Sequence, residues 1–170
     1  MRRIIMGQVY PVTPAANVAT LGIESELASN INERIPAIPL SVVTFETAIA
    51  AGSAGADQVA AGNAFMTVPT GYRLYIKAVN IIAAGTSAGI DGSNTCLIAL
   101  TNITESVNVA AKTFTNVVVY PAANVAAELT LVTAQQTVKA GDTLGMTITQ
   151  GTTADHNGFV LQVIGLLEEV

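Results

Sequence analysis

His156 is the only histidine in the chain. Any Ser-His-Asp arrangement would therefore have to use it as the base. A cupin-like metal site with several histidine ligands, or a facial triad with two, has too few residues to draw on. His156 sits in Thr152-Thr153-Ala154-Asp155-His156-Asn157-Gly158, a run of turn formers, and reads as an exposed loop histidine. Because imidazole charges near neutral pH, a minor pH-sensitive contact is the alternative there. Paired carboxylates do acid–base work when they converge in a cleft. The two candidate pairs, Glu24/Glu26 and Glu168/Glu169, lie in the N-terminal segment and at the C-terminus, and both read as solvated faces. Asp91-Gly92-Ser93-Asn94 and Asp155-His156-Asn157 offer loop oxygens, but neither has the spacing of a helix–loop–helix calcium site, and Asp-Gly is first a turn dipeptide.

Cys96 is the single cysteine, which rules out an internal disulfide and a thiolate zinc cluster. Within Thr95-Cys96-Leu97-Ile98 it reads as a small buried residue. The glycine-rich stretch Ala50–Gly55 lacks the Gly-Lys-Ser/Thr ending of a phosphate loop. Asn102-Ile103-Thr104 matches a glycosylation acceptor, a match with little meaning without a secretion signal. The expectation is a protein that is not an enzyme, with no catalytic, cofactor-binding or metal-binding residues and no cofactor. What remains is surface. Tyr10, Tyr72, Tyr75 and Tyr120 are candidate contact anchors, since tyrosine is enriched at interface hot spots. Tyr75 with Arg73 and Lys77 makes an outward patch on one strand, or is an ordinary half-buried strand surface.

The elements that must carry these residues are read from composition and period. Of the 170 residues, 51% are hydrophobic and 11% charged, with no tryptophan; about 25% charged is usual. Valine, isoleucine and threonine fit a pleated surface. So few charges leave an exterior of Ala, Thr, Ser, Asn and backbone, or one covered by partners. Net charge is −5, and the basic residues are scattered, which excludes a nucleic-acid stripe.

The chain divides into an arm, residues 1–39, and a body, residues 40–170. The arm holds Pro11, Pro14, Pro36 and Pro39. Ile23, Leu27, Ile31 and Ile35 fall on one helical face. A short amphipathic helix over Leu21–Arg34 and an extended arm that packs on a neighbour are both open. Ile4-Ile5-Met6 is too short for a signal-peptide core, and no run is long enough for a membrane span. The chain is expected to fold in a cytoplasm.

In the body, strands are expected at Ser41–Ile49, Ala64–Val68, Tyr72–Ala83, Thr95–Asn102, Thr113–Tyr120, Ala127–Thr133, Gln136–Lys139, Thr143–Gln150 and Phe159–Leu167. Along Tyr72–Ala83, Tyr72, Leu74, Ile76 and Ala78 should share one face, opposite Arg73, Tyr75, Lys77 and Val79. About eight short strands with frequent turn signals indicate an all-β sandwich or barrel. Long loops favour Greek-key crossings. The expected fold is a jelly-roll-like β-sandwich with an extended N-terminal arm; Ig-like and up-and-down barrel forms are the alternatives.

A proline-rich arm precedes a charge-poor β body containing Val68-Pro69-Thr70-Gly71-Tyr72 and Thr137-Val138-Lys139-Ala140-Gly141-Asp142-Thr143-Leu144. In this the chain resembles the small decoration, or cement, proteins of tailed bacteriophage heads. The resemblance implies a virion protein on the capsid exterior. It would be a homo-oligomer, trimer favoured, that clamps subunits of the major capsid protein against the pressure of packaged DNA, with no nucleic-acid or membrane partner. The rivals are a jelly-roll capsid protein, a head-fibre or tail module, and a carbohydrate-binding β-sandwich. Partner contacts are expected at Ile4, Ile5, Val9, Tyr10 and Val12 of the arm and at Arg73 and Tyr75. Removing residues 1–13 should abolish capsid binding and leave the body folded. Undiminished binding by the truncated protein would take the arm out of the mechanism.

Overall fold

The computed structural model describes residues 41–170. The arm, its candidate helix over residues 21–34, and Ile4, Ile5, Val9, Tyr10 and Val12 lie outside the described residues.

The body forms ten strands. They are β1 (Ser41–Ile49), β2 (Ala64–Thr67), β3 (Tyr72–Ala83), β4 (Cys96–Asn102), β5 (Val107–Phe114), β6 (Ala126–Glu128), β7 (Thr130–Leu131), β8 (Thr137–Val138), β9 (Thr143–Gln150) and β10 (Phe159–Glu169). One sheet runs β1-β10-β3-β6, with β8 also paired to β3, and the other runs β2-β9-β4-β5-β7. The pairings nest: β1 with β10, β2 with β9, β3 with β6 and β8, and β4 with β5, all antiparallel. A long hairpin rolled so that successive pairs fall on opposite sheets is a jelly roll. The all-β sandwich expected from the sequence is thus present, with jelly-roll connectivity.

Between the sheets the core is aliphatic. Leu74, Ile76, Val79 and Ile81 of β3 and Leu161 and Val163 of β10 are wholly buried, as are Ile98 and Leu100 of β4 and Leu144, Met146 and Ile148 of β9. Cys96 is buried and free, as its sequence setting indicated. Burial pushes its thiol up to about 12, so it stays a neutral small hydrophobe.

Three strand assignments are corrected. Along β3 the inward residues are Leu74 and Ile76, then Val79, Ile81 and Ala83. Ala78 is therefore not on the Leu74 face. Gly165 pairs with Ile76 and Ile164 with Ala78, leaving Lys77 as an extra residue; such a bulge puts two residues opposite one and shifts the alternation by one. Thr113–Tyr120 is not one strand. β5 begins earlier and ends at Phe114, whose partner Cys96 is the first residue of β4, so among the described residues the chain beyond it has no strand to pair with there. Ala127–Thr133 divides at Leu129, which is fully buried. Before it β6 pairs β3 in one sheet, and after it β7 pairs β5 in the other.

The connections gather at the two ends of the sandwich. At one end, the turns after β2, β4 and β8 meet. Asn102 donates from Nδ2 to the buried Asp142 carboxylate at 2.8 Å, and the Lys139 amide donates to the same oxygen at 3.2 Å. Asn102 is thus a buried, engaged side chain, unsuited in the folded protein to carry a glycan.

The β3 bulge depends on close approach at Gly165. A Cβ there would stand 2.8 Å from Leu74 Cδ1 and 2.9 Å from the Tyr75 carbonyl oxygen. Gly165→Ala is expected to lower stability by about 1–3 kcal/mol, as overpacked cores do. Chemical denaturation checks this.

Candidate functional site

At the other end of the sandwich four connections meet: residues 50–63, 84–95, 115–125 and 151–158. The Gly55 amide donates to the Ala154 carbonyl at 2.9 Å, Ala88 and Asp155 form a β-bridge, and the Asn124 amide donates to the Ala83 carbonyl at 2.8 Å. Sequence reasoning expected strand in part of the third connection. The structure turns the chain there instead. Thr115 Oγ1 accepts from the amides of Val117 and Val118, both at 3.0 Å, and the Thr115 amide donates to the Val118 carbonyl at 2.8 Å. A threonine hydroxyl in this role competes with strand pairing.

The result is a run of three consecutive valines in water. Val117 is 82% exposed, Val118 40% and Val119 73%, with Val125 nearby in sequence at 49%. The base of the loop is firm. Tyr120 and Pro121 are buried. The Tyr120 ring packs edge-on against Phe114 with centroids 5.1 Å apart, and its hydroxyl donates to the Gly158 carbonyl at 3.3 Å. Burial pushes the Tyr120 phenol up, so it remains a donor. Exposed runs of apolar residues on a braced loop are the kind of surface that marks a contact site. The only sequence signal for it was the Thr115-Asn116 pair, whose side chains favour turns.

The reading of His156 as an exposed loop histidine is overturned: its side chain is wholly buried. The Gly158 amide donates to Nδ1 at 2.9 Å. Nδ1 is therefore the bare nitrogen, and the proton of the neutral ring sits on Nε2. The Gln58 amide group lies 3.0 Å from Nε2, and must present its oxygen there, because two donors cannot bond. The nitrogen of Gln58 then faces the Asn63 amide group, 3.1 Å away, whose oxygen accepts. Phe159 packs edge-on against the imidazole at 5.4 Å. Burial lowers the histidine pKa, opposed by the Asp155 charge. Both ring nitrogens are engaged within the fold, so the ring braces loops rather than facing a substrate. Turn-forming neighbours do not reveal burial of this kind, because the ring is met by Gln58 from a distant connection and by Phe159 at the start of β10.

The other candidates are settled locally. The Asp91 carboxylate accepts from the amides of Ser93 and Asn94 at 2.7 Å each. These bonds, Asn94's foremost, hold its pKa below the usual value. Asp155 accepts from the Asn157 amide at 2.9 Å. Both carboxylates thus serve their own turns. Arg73, Tyr75 and Lys77 do share the outward side of β3. Arg73 donates from Nε to Glu168 at 2.7 Å, the Lys77 ammonium lies 4.4 Å from the centre of the Tyr75 ring, and the Tyr75 hydroxyl donates to Gln136 at 2.9 Å. An exposed ion pair of this sort contributes about 0–1 kcal/mol. Tyr75 stands eight residues from Ala83 along β3, roughly 26 Å at strand rise. The patch is therefore distant from the valine loop.

The two outward sheet surfaces differ. On the second sheet Thr101 shares hydroxyl bonds with Thr147 at 3.0 Å and Asn108 at 3.1 Å. On the first, the register aligns Val42, Leu166 and Tyr75 in one row, and Ala48, Val160 and Ile82 in another. Between them the Gln162 amide donates to Glu46 at 2.8 Å and accepts from Asn80 at 3.2 Å. Val42 is 72% exposed.

Replacing His156 by Ala leaves the Gly158 amide and the Gln58 amide group without their partner. The expected cost is about 1–3 kcal/mol from the stranded polar groups alone, read as a lower denaturation midpoint at pH 7.5.

No protein-family model matches the chain, and neither does any curated protein or solved structure.

Proposed function

We propose that this chain is a structural virion protein that acts by lying against other protein subunits rather than by catalysis. In this reading it is a decoration, or cement, protein of a tailed bacteriophage. It binds the outer surface of the head as a homotrimer and bridges subunits of the major capsid protein. The observation that carries the reading is the braced loop with Val117, Val118 and Val119 in water. Full burial of one valine side chain contributes about 1.5 kcal/mol or more, so three on a pre-formed base make an effective contact.

The loop is assigned to contact between copies of this chain. Residues 115–125 contain no Asp, Glu, Lys, Arg or His. Symmetric assembly brings identical surfaces together, and like charges there would repel. A segment without ionised groups meets its own copies at no such cost. Contact with the head falls to Ile4, Ile5, Val9, Tyr10 and Val12 of the arm and to the Arg73 and Tyr75 surface. Many copies on one shell then add avidity to contacts that are individually weak. The low charge, 11% of residues, agrees with a molecule whose exterior is largely covered in use.

The mass of the purified full-length chain in solution tests this. A trimer is expected, and a stable monomer would overturn the reading. A shell-sized particle would replace it with a capsid-forming role. The double variant Val117→Asp, Val119→Asp should weaken the trimer by at least about tenfold, the equivalent of about 1.4 kcal/mol, with an unchanged far-ultraviolet circular dichroism spectrum.

A further inference from the structure

One residue connects the buried imidazole to the valine loop. The Gly158 amide donates to His156 Nδ1 at 2.9 Å, while the Gly158 carbonyl accepts from the Tyr120 hydroxyl at 3.3 Å and from the Ala84 amide at 3.1 Å. Tyr120 and Phe114, ring to ring at 5.1 Å, form the base of residues 115–125. Gly158 and its neighbour Asn157 hold positive φ, +78° and +50°. A Cβ on Gly158 would stand 3.0 Å from the Ile49 carbonyl oxygen, and these constraints leave the node little freedom.

The neutral ring holds its proton on Nε2, so a second proton must go to Nδ1. That would set an imidazolium N–H against the Gly158 N–H, turning a hydrogen bond into a repulsion between donors. The charge would also enter a site closed by the edge of Phe159, 5.4 Å away, where a cation loses its hydration. Among the described residues the ionisable groups around the site are few. Asp155, on the same connection, favours the cation, but its carboxylate is already bonded to the Asn157 amide. Asp57, from residues 50–63, accepts from the Gln150 amide at 2.8 Å. Cys96 of β4 and Tyr120 are kept neutral by burial. Asp91, from residues 84–95, is exposed and bonded within its own turn. One partly engaged carboxylate therefore opposes desolvation and the loss of a hydrogen bond.

We propose that His156 is a proton-sensitive latch: a second ring proton releases Gly158 and, through Tyr120, frees the Val117–Val119 loop, so that acidification loosens the contact between copies. The latch stands on the His156–Gly158–Tyr120 geometry; only its effect on assembly rests on the reading of the loop as a self-contact. The direction follows from burial, which lowers the pKa of His156 below 6.5 while the loop is closed. With the loop open the ring returns to its ordinary value. The closed state is thus fully favoured above pH 6.5, and its advantage is lost as pH falls from 6.5 toward the lower, closed-state pKa. Each pH unit in that window raises the opening constant by up to about tenfold.

Hydrogen–deuterium exchange on untagged full-length protein at pH 7.5 and 5.5, corrected for intrinsic rates, reads this directly. The amides of Thr115, Val117, Val118, Asn124 and Val125 should open up to about tenfold more at the lower pH. His156→Asn retains an acceptor oxygen toward the Gly158 amide but cannot take the proton, so its response should vanish. An equal increase in the variant would overturn the latch. A nuclear magnetic resonance titration of the wild-type imidazole, unambiguous with one histidine, provides a test that needs no variant: a midpoint at or above 6.5 overturns the proposal. Mass measurements over the same range separate the two readings. A trimer that dissociates in step with loop opening supports the latch and its role. A loop that opens on a trimer that persists leaves the latch standing and removes the loop from the self-contact.

Discussion

β10 and β3 run side by side from Phe159–Ala83 to Glu169–Tyr72, joining the end of the chain to its third strand, and this pairing governs most of the architecture. β10 also carries β1 on its other side, so the first sheet is built around it. The bulge at Lys77 and Gly165 fixes which side chains of β3 face inward. Because the side-chain period of a strand is two, a one-residue change in phase exchanges the buried and exposed sets. Leu74 and Ile76 on one side of the bulge and Val79 and Ile81 on the other all reach the same core for this reason. The same pairing determines where β10 begins, and with it the position of Gly158 and His156 at the sandwich end.

That end is organised by satisfied polar groups rather than by apolar packing alone. Loops crossing the mouth of a sandwich bring backbone donors and acceptors out of water, and each needs a partner. The imidazole of His156 meets this need for the Gly158 amide, while Gln58 and Asn63 continue the chain of donors and acceptors to the half-buried surface. Tyr120 joins from the next loop through the Gly158 carbonyl. A network of this kind is stable while every member is satisfied and sensitive to any change in protonation. The valine loop is tied at its base into this network through Tyr120, and that attachment distinguishes it from a merely apolar loop.

The shortage of charge has two structural answers. The second sheet turns threonine hydroxyls outward, and they bond to one another and to Asn108, a neutral surface that still suits water. The first sheet turns Val42 and Leu166 outward in one row and Val160 in another, and the end of the sandwich carries Val117–Val119.

The amino-acid sequence determined the class of fold and most of its elements. Tyr72–Ala83 and Thr143–Gln150 are strands over the spans their alternation indicates, and Pro69-Thr70-Gly71 and Ala140-Gly141-Asp142 are turns, because period and turn chemistry are local properties. It also determined that Cys96 is interior. Only tertiary structure decided the phase of β3 beyond Lys77, since a bulge depends on the register of the partner strand. Only tertiary structure took Thr115–Tyr120 out of the strand class: valines favour strands wherever a partner exists, and β4 begins too late to supply one. The burial of His156 was likewise decided at a distance, by Gln58 and Phe159 enclosing it, and no local pattern of turn formers contains that information.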